Sequence, residues 1–190
     1  MRRIFLASLI GILSACAPAS QKIQADEIDV DSLIASQVQL LQSGHVALTK
    51  VATMASRTDT AYGRVSTNWR EELEVFRELG AIHQKLYRGT YRIEDPLDDP
   101  HSNLRIRRLT HDEAPLRVLE IYYQNELSRI REIKGILEEA NPLYTSRREL
   151  ILHFDDQDGK VALSRYSITG YQKLALRDTV RFSVHGQVNW

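Results

Sequence analysis

Residues 180–188 read VRFSVHGQV. Val180, Phe182, Val184 and Val188 fall on one side, and Thr179, Arg181, Ser183, His185 and Gln187 on the other. A period of two is the signature of a strand with one face in a core and one in water. The same texture extends upstream. Val161 to Tyr171 reads as a strand whose phase slips near Ser164, the mark of a bulge. Leu150, Leu152 and Phe154 share one face against Arg147, Glu149 and His153. Leu119, Ile121 and Tyr123 form another apolar face, and Leu104 and Ile106 oppose Arg105 and Arg107. Turns separate these runs: Asp155–Gly159 (DDQDG), in which Gly159 supplies a positive φ, Thr110–Pro115, and the proline-containing Glu94–Asn103 (EDPLDDPHSN). Leu86–Ile93 is a further candidate strand.

The segment Leu127–Glu138 is ambiguous. Leu127, Ile130, Ile133 and Ile136 or Leu137 suit a helix, but Gly135 would cost that helix about 1 kcal/mol. Turn signals at Gln124-Asn125 and Asn141-Pro142 bracket it at the spacing of the neighbouring strands, so it is assigned to the meander.

Two segments upstream have helical spacing. Asp29 and Asp31 can cap a helix over about 31–43, with Ile34, Val38 and Leu41 inward and Ser43-Gly44 as its stop. Asn68 and Glu71 form a capping box for a helix over about 69–84. There Trp69, Leu73, Phe76, Gly80 and His83 make one stripe, and Val75, Leu79, Ile82 and Leu86 lie beside it. Between the helices, His45–Met54 is β-branched and reads as a strand, and Ala55–Thr67 as a loop. The sum is an α+β fold: two helices packed on a curved antiparallel meander of six to eight strands.

The first residues carry an address. Arg2 and Arg3 precede the apolar run Ile4–Leu13, which is too short to span a bilayer. Leu13-Ser14-Ala15-Cys16 closes it. This layout is that of a secretory signal peptide, and its ending resembles the lipobox of bacterial lipoproteins at all four positions. The resemblance implies cleavage before Cys16 and acylation of its thiol, with palmitate among the acyl chains. Residues 1–15 are then a leader, 16–27 the lipidated cysteine and a tether, and 28–190 one globular domain. Ala17 in place of Asp, by the same resemblance, implies the outer membrane, facing the periplasm. The run 166–188 is similar in layout to the C-terminal strands of small envelope lipoproteins, which implies no activity.

Composition agrees with an anchored globular domain. Cys16 is the one cysteine, so no disulfide can form within the chain. The 175 residues after the leader can bury an ordinary core, and 43% hydrophobic against 26% charged residues excludes an unfolded chain. Without Arg2 and Arg3 there are 23 basic and 25 acidic side chains. So near-neutral a domain has no general attraction for nucleic acid or for anionic lipid headgroups, and its membrane contact is expected from the acyl chains. Its partners are the bilayer, through acylated Cys16, and an envelope protein.

No catalytic set emerges. No HExxH, GxSxG or phosphate-binding loop is present. His101, His111, Asp112 and Glu113 lie in consecutive loops that could converge on a metal, but their spacing matches no zinc pattern. The DDQDG run fails the calcium-loop pattern at its first and last ligand positions, Phe154 and Arg165. His83 reads as a hydrogen-bonded residue at the core edge. The pairs Arg107-Arg108, Arg129/Arg131 and Arg147-Arg148 could make a basic stripe, though salt bridges to Glu120, Glu132 and Glu149 account for them better. The functional expectation is therefore a non-enzymatic binding or assembly module with no cofactor and no metal. The alternative is a carrier of a lipid or other small apolar ligand, similar to the lipoprotein carriers of the periplasm. Its cavity would be lined by Trp69, Phe76, Leu79, Leu119, Ile121 and Tyr123, residues that an ordinary core also needs.

Overall fold

The computed structural model describes residues 28–55, 57–62 and 67–190; the leader, Cys16 and the tether lie outside these. Nine antiparallel strands form one open sheet. They are β1 (Ala47–Met54), β2 (Arg57–Tyr62), β3 (Arg92–Asp98), β4 (Arg105–Thr110), β5 (Leu116–Tyr123), β6 (Ile130–Asn141), β7 (Tyr144–Gln157), β8 (Lys160–Leu174) and β9 (Val180–Asn189). The order is β2-β1-β9-β8-β7-β6-β5-β4-β3. The meander from β3 to β9 is thus extended by β1, which pairs with the last strand.

Nine strands replace the six to eight expected. The extra pairing comes from β2, placed where a loop was read at 55–67. Its residues 57–60 are exposed on both faces, so no apolar alternation marks it there; Thr58, Thr60 and Tyr62 are its strand-favouring residues. The edge strand β3 also departs from the sequence reading. Residues 84–90 turn rather than extend, and the strand runs on through Asp95-Pro96 to Asp98 with a register shift between Glu94 and Leu97. An edge position tolerates proline because one side of the strand has no ladder bond to lose. The segment Ile130–Asn141 is a strand, as the bracketing turns indicated, and Leu127 falls in the turn before it. At the 158–159 turn both central residues have positive φ, Asp158 at 50° and Gly159 at 76°. That two-residue hairpin geometry follows the strand twist, and Asp155–Gln157 belong to β7.

Helix α1 (Val30–Ser43) is capped by Asp29, whose carboxylate accepts from the Asp31 and Ser32 amides, and it ends at Gly44. The second helix is not the continuous α-helix expected over 69–84. A four-residue α2 (Trp69–Glu72), capped by Asn68, gives way to a 3-10 helix, Glu74–His83. The reason is legible in the packing. Leu73, Phe76, Leu79 and Ile82 recur every third residue and are all almost fully buried. Three residues per turn lines them in one row, which 3.6 would fan out.

Both helices cover one face of the sheet. On it Ile121, Ile133, Leu152, Tyr166, Gly186 and Lys50 stand in register across six strands. Polar ties fix the cover. Arg148 of β7 makes two 2.8 Å bonds to the Glu78 carboxylate. Lys50 reaches Glu72 at 2.6 Å, and the Tyr166 hydroxyl donates to the same oxygen. Gln37 of α1 bonds the Val161 carbonyl and the Leu163 amide at the β8 bulge.

Candidate binding face

The six residues proposed to line an apolar cavity are brought together, but as core. Trp69, Phe76, Leu79, Leu119 and Ile121 are buried in one cluster, and Phe76 meets the Tyr166 ring edge-on at 5.5 Å. Tyr123 is buried beside it, with its hydroxyl on Asp95 at 2.8 Å. The sequence-proposed metal loops do not converge. His101 sits in the β3–β4 hairpin and His111 in the β4–β5 turn, at opposite ends of a strand about 20 Å long. His111 Nδ1 accepts from the Glu113 and Ala114 amides, so the ring caps its own turn. Among the described residues, no group of three His, Cys, Asp or Glu side chains is placed to hold a metal ion. His83 bonds the Ile28 carbonyl at 3.1 Å, at the core edge as read.

The arginine pairs are largely tied to carboxylates. Arg107 is bound to Asp95, Arg108 to Glu120, Arg131 to Asp156, Arg147 to Glu138 and Arg148 to Glu78. Glu132 and Glu149 have other partners, His153 and Lys134. Hydrogen bonding to the carboxylate raises the affinity of Arg108, Arg131 and Arg148 for their protons, and Asp156 is held below the ordinary carboxylate range by Arg131. A charge satisfied in this way is not free to attract an anion.

What stands open is the sheet face away from the helices. Across it Glu132, His153, Arg165, Gln187 and Thr49 lie in register on β6, β7, β8, β9 and β1. Two shallow depressions meet there. One, of about 260 Å³, is lined by Thr49, Val51, His153, Arg165, Ser167 and His185 among others. Its neighbour, of about 410 Å³, shares His153 and Arg165 and reaches Gln124, Arg131 and Asp155. His153 Nδ1 lies 3.0 Å from a Glu132 carboxylate oxygen, which orients the ring. Donors and hydroxyls line this surface beside the Glu132 and Asp155 carboxylates, an assortment suited to holding a polar group. The sequence marked these positions only as the polar side of strands. Their convergence depends on strand register, which no local pattern reveals.

No protein-family model, no curated protein and no solved structure matches this chain.

Proposed function

We propose that this chain is a lipid-anchored protein of the bacterial envelope, and that its domain is a non-enzymatic binding or assembly module held at the outer membrane, facing the periplasm. The observation that carries the reading is the sequence of residues 1–16: two arginines, a short apolar run, and Leu13-Ser14-Ala15-Cys16. The open sheet face adds support. It is wide and polar and carries Arg165, His153, His185, Thr49 and Ser167, and a large partner can lie flat against such a surface. No helix among the described residues is long and apolar enough to cross a membrane.

The test is the intact mass of the full chain expressed in a diderm bacterium and extracted from envelope membranes. The expected species lacks residues 1–15 and carries added acyl mass on Cys16. Cys16→Ser should keep its leader or lose its acyl mass. An unacylated wild-type chain in the soluble fraction would end this reading. Crosslinking from Arg165 and His185 positions in whole envelopes would then test the binding face, and failure to recover any reproducible partner counts against the module.

A further inference from the structure

One end of the sheet is apolar where it meets solvent. The turns β1–β2, β8–β9 and β6–β7 are neighbours there, because the sheet order runs β2-β1-β9-β8-β7-β6. Backbone bonds join their tips: the Ala55 amide donates to the Arg181 carbonyl, and the Ala175 amide to the Leu143 carbonyl, each at 2.9 Å. From this joined rim project Met54, Leu143, Leu174, Leu176 and Val180, all exposed, with Leu176 wholly so. Leu176 also holds a positive φ of 63°, a conformation that a leucine adopts at a cost. Single exposed leucines are ordinary, but five large aliphatic side chains on three joined turns are a patch.

The charges around the patch have one sign in excess. Arg57, Lys173, Arg177 and Arg181 stand at this end against Asp178 and Glu139. None of the four cations makes an ion pair among the described residues. That contrasts with the paired arginines along the strands.

We infer that this rim docks onto an anionic phospholipid surface, with the leucines entering the headgroup boundary and the arginines and lysine facing lipid phosphates. The cations, unpaired among the described residues, complement anionic headgroups, and lipid can deform around the tips of three adjoining turns without the matching pocket that a protein partner would have to supply. Apolar side chains flanked by cations, here Lys173 and Arg181 on the opposite face of the sheet from Leu174 and Val180, are what interfacial binding requires. The inference takes from the proposed anchor only that the domain works within reach of a bilayer. It adds an orientation: the β6–β7 and β8–β9 turns point to the membrane and the β7–β8 turn away.

The experiment uses the full chain reconstituted in vesicles. Because Cys16 is the sole cysteine, and acylation blocks its thiol, a single introduced cysteine can be labelled with a fluorophore: Leu176→Cys at the rim, or Asp158→Cys at the opposite end. Labelling at two positions would itself report that Cys16 is not acylated, and the comparison then moves to a Cys16→Ser background. In phosphatidylcholine vesicles containing phosphatidylglycerol, the label at 176 should be quenched by brominated lipid and shielded from aqueous iodide, with the reverse at 158. Replacing Lys173, Arg177 and Arg181 by Ser should weaken docking on the order of a hundredfold, read as loss of the quenching, as should omitting phosphatidylglycerol. Leu143→Asp with Leu174→Asp should reduce it too; both side chains are exposed, so the core is spared. Equal iodide access at 176 and 158 would overturn the inference. So would protection of 176 in whole envelopes but not in vesicles, which would make the occupant a protein.

Discussion

Leu79 fills the space over Gly135 that a β carbon would need: a methyl group built on Gly135 would lie inside the van der Waals shell of Leu79 Cδ2. The contact joins the 3-10 helix to the centre of β6. It explains a glycine that reads as a helix breaker in isolation. In the strand, the missing side chain is where the helix comes down on the sheet.

Gly135→Ala should therefore destabilise the fold by about 1–3 kcal/mol, the usual cost of overpacking, even though alanine lowers the entropy of the unfolded chain and so disfavours it. Urea denaturation would measure it. In a Leu79→Ala background the same change should cost far less, because the obstructing δ-carbon is gone, and that non-additivity is the specific readout.

Gln37 and the bulge at Ser164 form a second such relationship. The register passes from His153↔Arg165 to Phe154↔Leu163, leaving Ser164 unpaired in the ladder. Gln37, only 5% exposed, accepts from the Leu163 amide at 2.8 Å and donates to the Val161 carbonyl at 3.1 Å. One amide side chain thus stands in for the backbone partners lost at the bulge. Gln37→Leu keeps the volume and removes both bonds, so it should lower stability by about 1–3 kcal/mol, with faster amide exchange at Leu163 as its local sign.

The elements that the sequence disclosed are those in which one force acts alone. Helix α1 shows because Asp29 caps it and Ile34, Val38 and Leu41 bury one stripe. The slip near Ser164 shows because burial must resume in phase after a bulge. The row Leu73, Phe76, Leu79, Ile82 was visible too, but a period of three is easily absorbed into a broad α-helical face, so the helix type was missed. Strand β2 left no pattern because water takes both faces of its residues 57–60. The meeting of His153 with Arg165 and His185 was out of reach for another reason: each is an unremarkable outward residue until the register sets the strands side by side.

Asp29 ties α1 to a pH dependence of known sign. Its carboxylate accepts from the Ser32 hydroxyl at 2.5 Å, and chiefly through that bond its pKa is lowered. A lowered carboxyl stabilises the fold above its unfolded pKa, and the contribution is lost as pH falls through the folded value. Asp29→Ala should cost about 1 kcal/mol at neutral pH, as N-cap removal does. The gap between wild type and variant should close as the pH drops below about 4. Parallel urea titrations at neutral and acid pH check this.

At the alkaline end four of the eight tyrosines act together. Burial is the leading cause that pushes Tyr91 up to about 12 and raises Tyr122, Tyr123 and Tyr166 as well; Glu120, Asp95 and Glu72 beside the last three oppose a phenolate further. A phenol whose folded pKa is raised keeps its proton in the native state after the unfolded chain has lost it. Its stabilisation is whole below about pH 10 and is lost as pH rises toward the folded values. The urea midpoint should accordingly fall steeply between about pH 10 and pH 12, with phenolate absorbance appearing together with unfolding rather than before it. Tyr166→Phe isolates one contributor. It should lower stability at neutral pH, since Glu72 loses one of its two donors while keeping Lys50, and it should flatten the alkaline slope because one raised phenol no longer titrates. A variant with the wild-type slope would mean that Tyr166 ionises in the folded protein as freely as in the unfolded chain, contrary to its burial between Phe76, Gly186 and Glu72.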